Sequence, residues 1–185
     1  GTDKLLPNFP LFEAWLASGF TVFTFPWPGF ADNPAELDAA SAIACMRESL
    51  EAIRALPGVD PTRVGYFGLS LGAAIGLRVA PELPWLQAMV LFGTPLRMPV
   101  GDRERFQELM GTFHPASLPV LLDAPSGRAA ACFFTPVRFA GGRAHHIFEA
   151  PFTGLIDAML AELAPLDAAR ALPPIPTRFL QGEWD

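Results

Sequence analysis

Apolar residues recur along this chain in two patterns. From Glu36 to Leu56, the apolar positions Leu37, Ala40, Ile43, Met46, Leu50 and Ile53 fall three or four apart. That is the stripe of an amphipathic helix, and Pro57-Gly58 ends it. A shorter stretch, Asn8 to Ser18, spaces Phe9, Phe12, Trp15 and Leu16 in the same way and closes at Gly19. Between such stretches lie short runs rich in aromatic and β-branched residues: Phe20 to Phe25, Arg63 to Phe67 and Ala88 to Phe92. These read as strands buried on both faces. Asp60-Pro61 makes the turn before the second of them, and the small-residue segment Ser70 to Ala80 reads as a helix. Helix and strand thus alternate with short connections. This predicts an α/β fold, a mostly parallel sheet with helices on both faces.

After Pro95 the rhythm fails. Residues 97–165 hold loops, proline breaks and two short helical stretches, Arg103 to Met110 and Gly154 to Leu163. Phe106, Phe113, Phe133, Phe134, Phe139, Phe148 and Phe152 all fall here. The segment is expected to be an insertion capping the functional edge of the sheet; the plainer reading is a run of core helices. Alternation resumes with a helix at Leu166 to Leu172 and a strand at Thr177 to Leu180. The expected organisation is a first core part over 1–96, a cap over 97–165 and a second core part over 166–185.

Composition narrows the function classes. Of 185 residues 51% are hydrophobic and 17% charged, and the net charge is −6, which excludes a disordered chain. There is no cluster of Lys and Arg, so no nucleic-acid partner is expected. Cys45 and Cys132 are too few for a disulfide framework and read as small core residues. The longest uncharged run, Ala14 to Ala31, is broken by Gly19, Pro26, Pro28 and Gly29, so no membrane span is expected. The expected compartment is the cytoplasm. No phosphate-cradling glycine loop and no metal-ligand spacing are present, so neither cofactor nor metal is expected.

One stretch carries chemistry: Gly68-Leu69-Ser70-Leu71-Gly72. A strand runs into it and a helix leaves it, which is the setting of a nucleophile elbow. A turn this sharp forces strain on Ser70, and side chains at 68 and 72 would collide, so glycine stands at both. The strain lifts the Ser70 hydroxyl to the carboxyl edge of the sheet. It also sets the Leu71 N–H at a helix N-terminus, where developing negative charge is stabilised. The plainer alternative is a serine that merely caps the helix.

The order of elements, the run Gly58-Val59-Asp60-Pro61-Thr62-Arg63-Val64-Gly65 and the elbow together resemble an α/β-hydrolase, nearest to the dienelactone-hydrolase and prolyl-oligopeptidase-like branches. The stretch Ile175 to Asp185 is similar to the late strand of that family, which opens with Pro-Thr and ends in Gly-x-x-Asp. The resemblance implies that Asp185 is the triad acid. It also implies that Thr2, in a segment similar to the tail of a glycine-rich loop, supplies the second oxyanion-hole amide beside Leu71. The family orders its triad serine, acid, histidine, yet His114, His145 and His146 all precede Asp185. The expectation is therefore a chain cut at both ends, inactive alone, with its histidine beyond Asp185. A competing assignment uses Ser70, Asp102 and His145 or His146.

What the resemblance implies is a serine hydrolase whose acyl-enzyme forms on Ser70, acting on a small hydrophobic acyl substrate, a carboxylic ester first. Acyl transfer, thioester, amide or carbon–carbon cleavage on the same scaffold, and a non-catalytic relative, stand as alternatives. Nothing in the sequence sets the oligomeric state.

Overall fold

The computed structural model describes residues 10–30, 33–95, 137–140, 142–144 and 150–181. The chain is of α/β class, with helices and a small parallel sheet. It divides into two compact units, one of Asp38–Pro99 with Ile156–Asp185, the other of Gly1–Leu37 with Val100–Leu155.

The first of these units holds the sheet. Strand β1 (Gly65–Leu69) pairs in parallel with β2 (Ala88–Phe92), and β2 pairs in parallel with β5 (Thr177–Leu180). The register sets Leu69, Phe92 and Leu180 side by side at the carboxyl edge. Helix α2 (Ala39–Arg54) precedes β1, and α3 (Leu71–Val79) follows it and runs into a single 3-10 turn at Ala80–Glu82. A fourth helix, α4 (Ala150–Leu163), leads to the short α5 (Pro165–Arg170) before β5. The strands at Ala88–Phe92 and Thr177–Leu180 stand where the sequence pattern sets them; β1 begins and ends two residues later than expected.

Helix α3 is apolar nearly all round. Ala73, Ala74, Ile75, Gly76, Leu77 and Val79 are buried, as expected of a helix enclosed by its neighbours. It packs on β1, α2 and α5. Helix α2 buries Ala39, Ala42, Met46 and Leu50. Of the stripe read from the sequence, Met46 and Leu50 are buried, Ile43 and Ile53 half-buried and Ala40 exposed, and Leu37 precedes the helix. Each fully buried Leu, Ile, Val or Met contributes roughly 1.5–3 kcal/mol. The start of α2 is fixed by a reciprocal cap: the Ser41 N–H donates to Asp38 Oδ1 at 2.6 Å and the Asp38 N–H donates to Ser41 Oγ at 3.0 Å. On its outer side Arg47 meets Glu82 at 3.0 Å, and Glu82 also meets Arg78 at 3.4 Å. These groups are more than a third exposed, and such pairs are worth about 0–1 kcal/mol.

The second unit contains α1 (Pro10–Ala17) and a hairpin of β3 (Val137–Phe139) and β4 (Gly142–Ala144). Leu37 forms a parallel bridge to Phe139, and the Arg138 N–H donates to the Gly29 carbonyl at 3.2 Å. Gly29 has φ +79°, and a Cβ there would strike the Arg138 carbonyl, so the close approach requires glycine.

One expected strand is absent. Phe20 to Phe25 forms no strand, with Phe20 64% and Phe23 39% exposed. Gly19 takes φ +85° and the Phe20 N–H bonds back to the Trp15 carbonyl at 3.0 Å. The donor that would open a ladder is thus spent closing α1. Aromatic and β-branched composition favours a pleated, half-buried surface but supplies no partner strand. Most of the expected cap, including Arg103 to Met110, lies outside the described residues. No helix among the described residues is long and apolar enough to cross a membrane.

Replacing Asp38 by Ala should lower unfolding free energy by about 1 kcal/mol, the usual cost of a lost N-cap. Glu82→Ala should change it by less than about 0.5 kcal/mol despite removing two ion pairs. Urea unfolding followed by circular dichroism separates the two.

Candidate active site

Strand β1 delivers the chain to Ser70 at the carboxyl edge of the sheet, and α3 starts at the next residue. Ser70 has φ +50° and ψ −120°. These are the angles of the first central position of a type II′ turn, which glycine dominates because a Cβ crowds the backbone there. Such strain costs about 1–3 kcal/mol. Ala164 is the other non-glycine residue with positive φ among those described, at φ +42° and ψ +56°. That is the ordinary left-handed well, and it joins α4 to α5.

Three backbone bonds hold Ser70. Its N–H donates to the Phe92 carbonyl at 2.9 Å, tying the elbow to β2. Its carbonyl accepts the N–H of Ala73 at 2.8 Å and of Ala74 at 3.2 Å. A trans peptide points its C=O and N–H in opposite directions. With the Ser70 carbonyl turned into the helix, the Leu71 N–H of the same unit points out beyond the helix N-terminus. There the dipole is positive and the first N–H groups have no helical acceptor. The Ser70 hydroxyl makes no capping bond, and the residue is exposed. Ser70 and Leu71 thus stand next to each other at the carboxyl edge of the sheet, the serine exposed to solvent.

The close approach of strand and helix is built from glycine and one tyrosine. A Cβ on Gly68 would lie 2.7 Å from Ala73 Cα and 2.9 Å from Ala73 N. A Cβ on Gly76 would lie 2.5 Å from Tyr66 Cε1. Tyr66 is buried between them, and its hydroxyl donates to the Gly72 carbonyl at 2.8 Å. Burial pushes its phenol well above the usual range, so it stays a neutral donor. Sequence reasoning missed Tyr66. The signal was available: it is the single tyrosine, two residues before Gly68 and hence on the same face of the strand.

Apolar side chains surround the elbow. Leu69 is 52%, Phe92 43% and Leu180 41% exposed along one register row. Beyond that row, the Gln181 side chain bonds the backbone of Thr94, a pairing the sequence does not announce.

No family model matches the chain. Two curated relatives do. Both are uncharacterized proteins of Mycobacterium tuberculosis, from two strains, each 31% identical over 150 residues. The match takes in 78% of this chain and 49% of each relative, so the chain spans about half the length of the curated relatives it matches.

Of the expected site residues, Ser70 and Leu71 stand together at the elbow. Thr2, Asp185, and the competing set Asp102, His145 and His146 lie outside the described residues, as do His114 and Cys132. Cys45 is half-buried on α2, and burial pushes its thiol up, which disfavours a thiolate nucleophile. Among the described residues no group of three His, Cys, Asp or Glu side chains could hold a metal ion.

Gly68→Ala should cost at least about 1–3 kcal/mol, because the obstacle is backbone that cannot step aside. At Gly65 the nearest atom to an added Cβ is the Ala88 carbonyl oxygen at 3.4 Å, so Gly65→Ala should stay within about 0.5 kcal/mol of the parent. Thermal unfolding of the two variants checks the contrast.

Proposed function

We propose that Ser70 is the nucleophile of a serine hydrolase of the α/β-hydrolase type. The observation that carries this reading is the state of the Ser70 side chain. It sits on a strained backbone at a helix N-terminus, is open to solvent and does no capping. In the proposed reaction Ser70 Oγ attacks an acyl carbonyl and its proton passes to a histidine base. The carbonyl oxygen, now an anion, receives the Leu71 N–H and a second amide, assigned to Thr2. Collapse expels the alcohol, which takes the proton from the histidine and leaves an acyl-enzyme for water to cleave. Asp185 would orient the base, which the family order of serine, acid and histidine sets after it. The exposed row of Leu69, Phe92 and Leu180 favours a hydrophobic acyl group over a charged one, and an ester is the first substrate to test.

In this reading the sheet is part of the hydrolase core and the phenylalanine-rich segment 97–165 its cap. The relatives bring no activity with them, so support rests on the elbow geometry and the sequence motif.

A fluorophosphonate probe tests the reading on the full-length protein. Labelling should map to the peptide holding Ser70, and Ser70→Ala should abolish it. Ester hydrolysis should fall about 10⁴-fold or more in that variant. Equal labelling of parent and variant, or none of the parent, would remove Ser70 from the role.

A further inference from the structure

The elbow is anchored to β2, and what fixes that part of β2 lies on β5. A single peptide unit joins Phe92 to Gly93. Its carbonyl accepts the Ser70 N–H at 2.9 Å, and its N–H donates to the Leu180 carbonyl at 2.8 Å. The peptide that holds the nucleophile is therefore held in turn by the exit of β5. One residue further, backbone pairing gives way to a side chain. The Thr94 N–H donates to Gln181 Oε1 at 3.0 Å, and Gln181 Nε2 donates to the Thr94 carbonyl at 3.3 Å. A primary amide carries an acceptor and two donors in one plane, so it reproduces both halves of a peptide pairing. Thr94 itself is 2% exposed, and its hydroxyl is buried without a partner among the described residues. Its position is thus set by these two backbone bonds rather than by its own side chain. Gly93, between the two anchored peptides, has φ +55°, a conformation glycine adopts freely. Without the Gln181 clamp, the chain beyond Phe92 could swing about Gly93 and tilt the peptide that fixes Ser70.

We propose that Gln181 is a positioning residue for the nucleophile, acting on Ser70 through Thr94, Gly93 and the Phe92 carbonyl. This rests on the reading of Ser70 as nucleophile. The clamp touches neither substrate nor reacting atoms. Its effect is to keep the Ser70 backbone, and with it the Leu71 N–H, in the attacking geometry. Misplacement on the scale of an ångström costs up to about 10²-fold in rate.

The test compares Gln181→Leu and Gln181→Glu with the parent in the full-length protein, by fluorophosphonate labelling rate and by kcat and KM on an ester. Gln181→Leu removes both bonds, and kcat should fall about tenfold with KM within about twofold. Gln181→Glu gives a sharper signature. Its carboxylate accepts from the Thr94 N–H but cannot donate to the Thr94 carbonyl; protonated, it does both. Its labelling rate relative to the parent should therefore rise toward the parent value as pH falls from 8 towards the carboxylate pKa, about 4.3 when unperturbed. Relative rates of Gln181→Leu should stay flat over the same range. If the parent labels on Ser70 while Gln181→Leu labels equally fast, the positioning role fails and the nucleophile stands. A slow, pH-independent Gln181→Glu would mark a purely structural residue and also overturn the proposal. An unlabelled Ser70 in the parent ends both readings. Should Gln181→Leu not fold, the pH dependence of Gln181→Glu decides alone.

Discussion

A chain that leaves a strand and enters a helix within one residue must bring the first helical turn into contact with the strand it has just left. That reversal at Ser70 sets the terms for the rest of the sheet-bearing unit. It admits no side chain at Gly68, where the Ala73 backbone stands 2.7 Å from a would-be Cβ. It leaves room beneath α3 for one flat ring, which Tyr66 fills, and that ring excludes a Cβ at Gly76 in turn. The Tyr66 hydroxyl would be an orphan in this position, and the Gly72 carbonyl at 2.8 Å accepts it. Two glycines, a tyrosine and a strained serine are thus consequences of one geometric demand.

The demand is met by burial rather than by charge. Strain at Ser70 is of order 1–3 kcal/mol. Ile75, Leu77 and Val79 on α3 are each within 1% of full burial, and each contributes roughly 1.5–3 kcal/mol. Seating the helix therefore outweighs bending the chain into it. The ion pairs around Glu82 lie on the surface and add too little to alter that balance. Lateral fixing matters more than their number suggests, because the Phe92–Gly93 peptide ties the exits of three strands together with two hydrogen bonds.

Much of this was legible in the sequence, and the exceptions follow from physics. The strands at Ala88–Phe92 and Thr177–Leu180 and the helix α2 came from the apolar pattern, but β1 and β2 bury alternate residues rather than both faces, and β5 is exposed from Arg178 to Leu180. Gly19 closes α1 as read, with φ +85°, whereas α2 ends at Arg54 with Ala55 as its cap, ahead of Pro57-Gly58. Phe20 to Phe25 misled because composition reports a preference for pleated surface, whereas a ladder also needs a neighbour. At the site, the elbow was legible because glycine spacing encodes backbone approach directly. Tyr66 was legible only in combination with Gly68, through the period of two. The Gln181 clamp was not, because no pattern along one strand tells which loop a side-chain amide will meet 87 residues away.

The two N-terminal caps of this unit allow a comparison under the same conditions. Asp38 heads α2 with φ −149° and ψ 178°, an extended residue whose side chain accepts from the Ser41 N–H. Ser70 heads α3 with φ +50° and ψ −120°, and its oxygen accepts nothing from the helix. Capping is what makes a serine useful at such a place, and here it is not performed. A glycine would have made the same reversal without the crowding of a Cβ. The sequence instead holds a hydroxyl in a conformation that raises the energy of the fold, beside the Leu71 N–H that a helix N-terminus leaves without an acceptor. Strain without a local structural return is what a reactive group held for an external partner looks like. That is why Ser70, rather than the sheet, carries the functional reading.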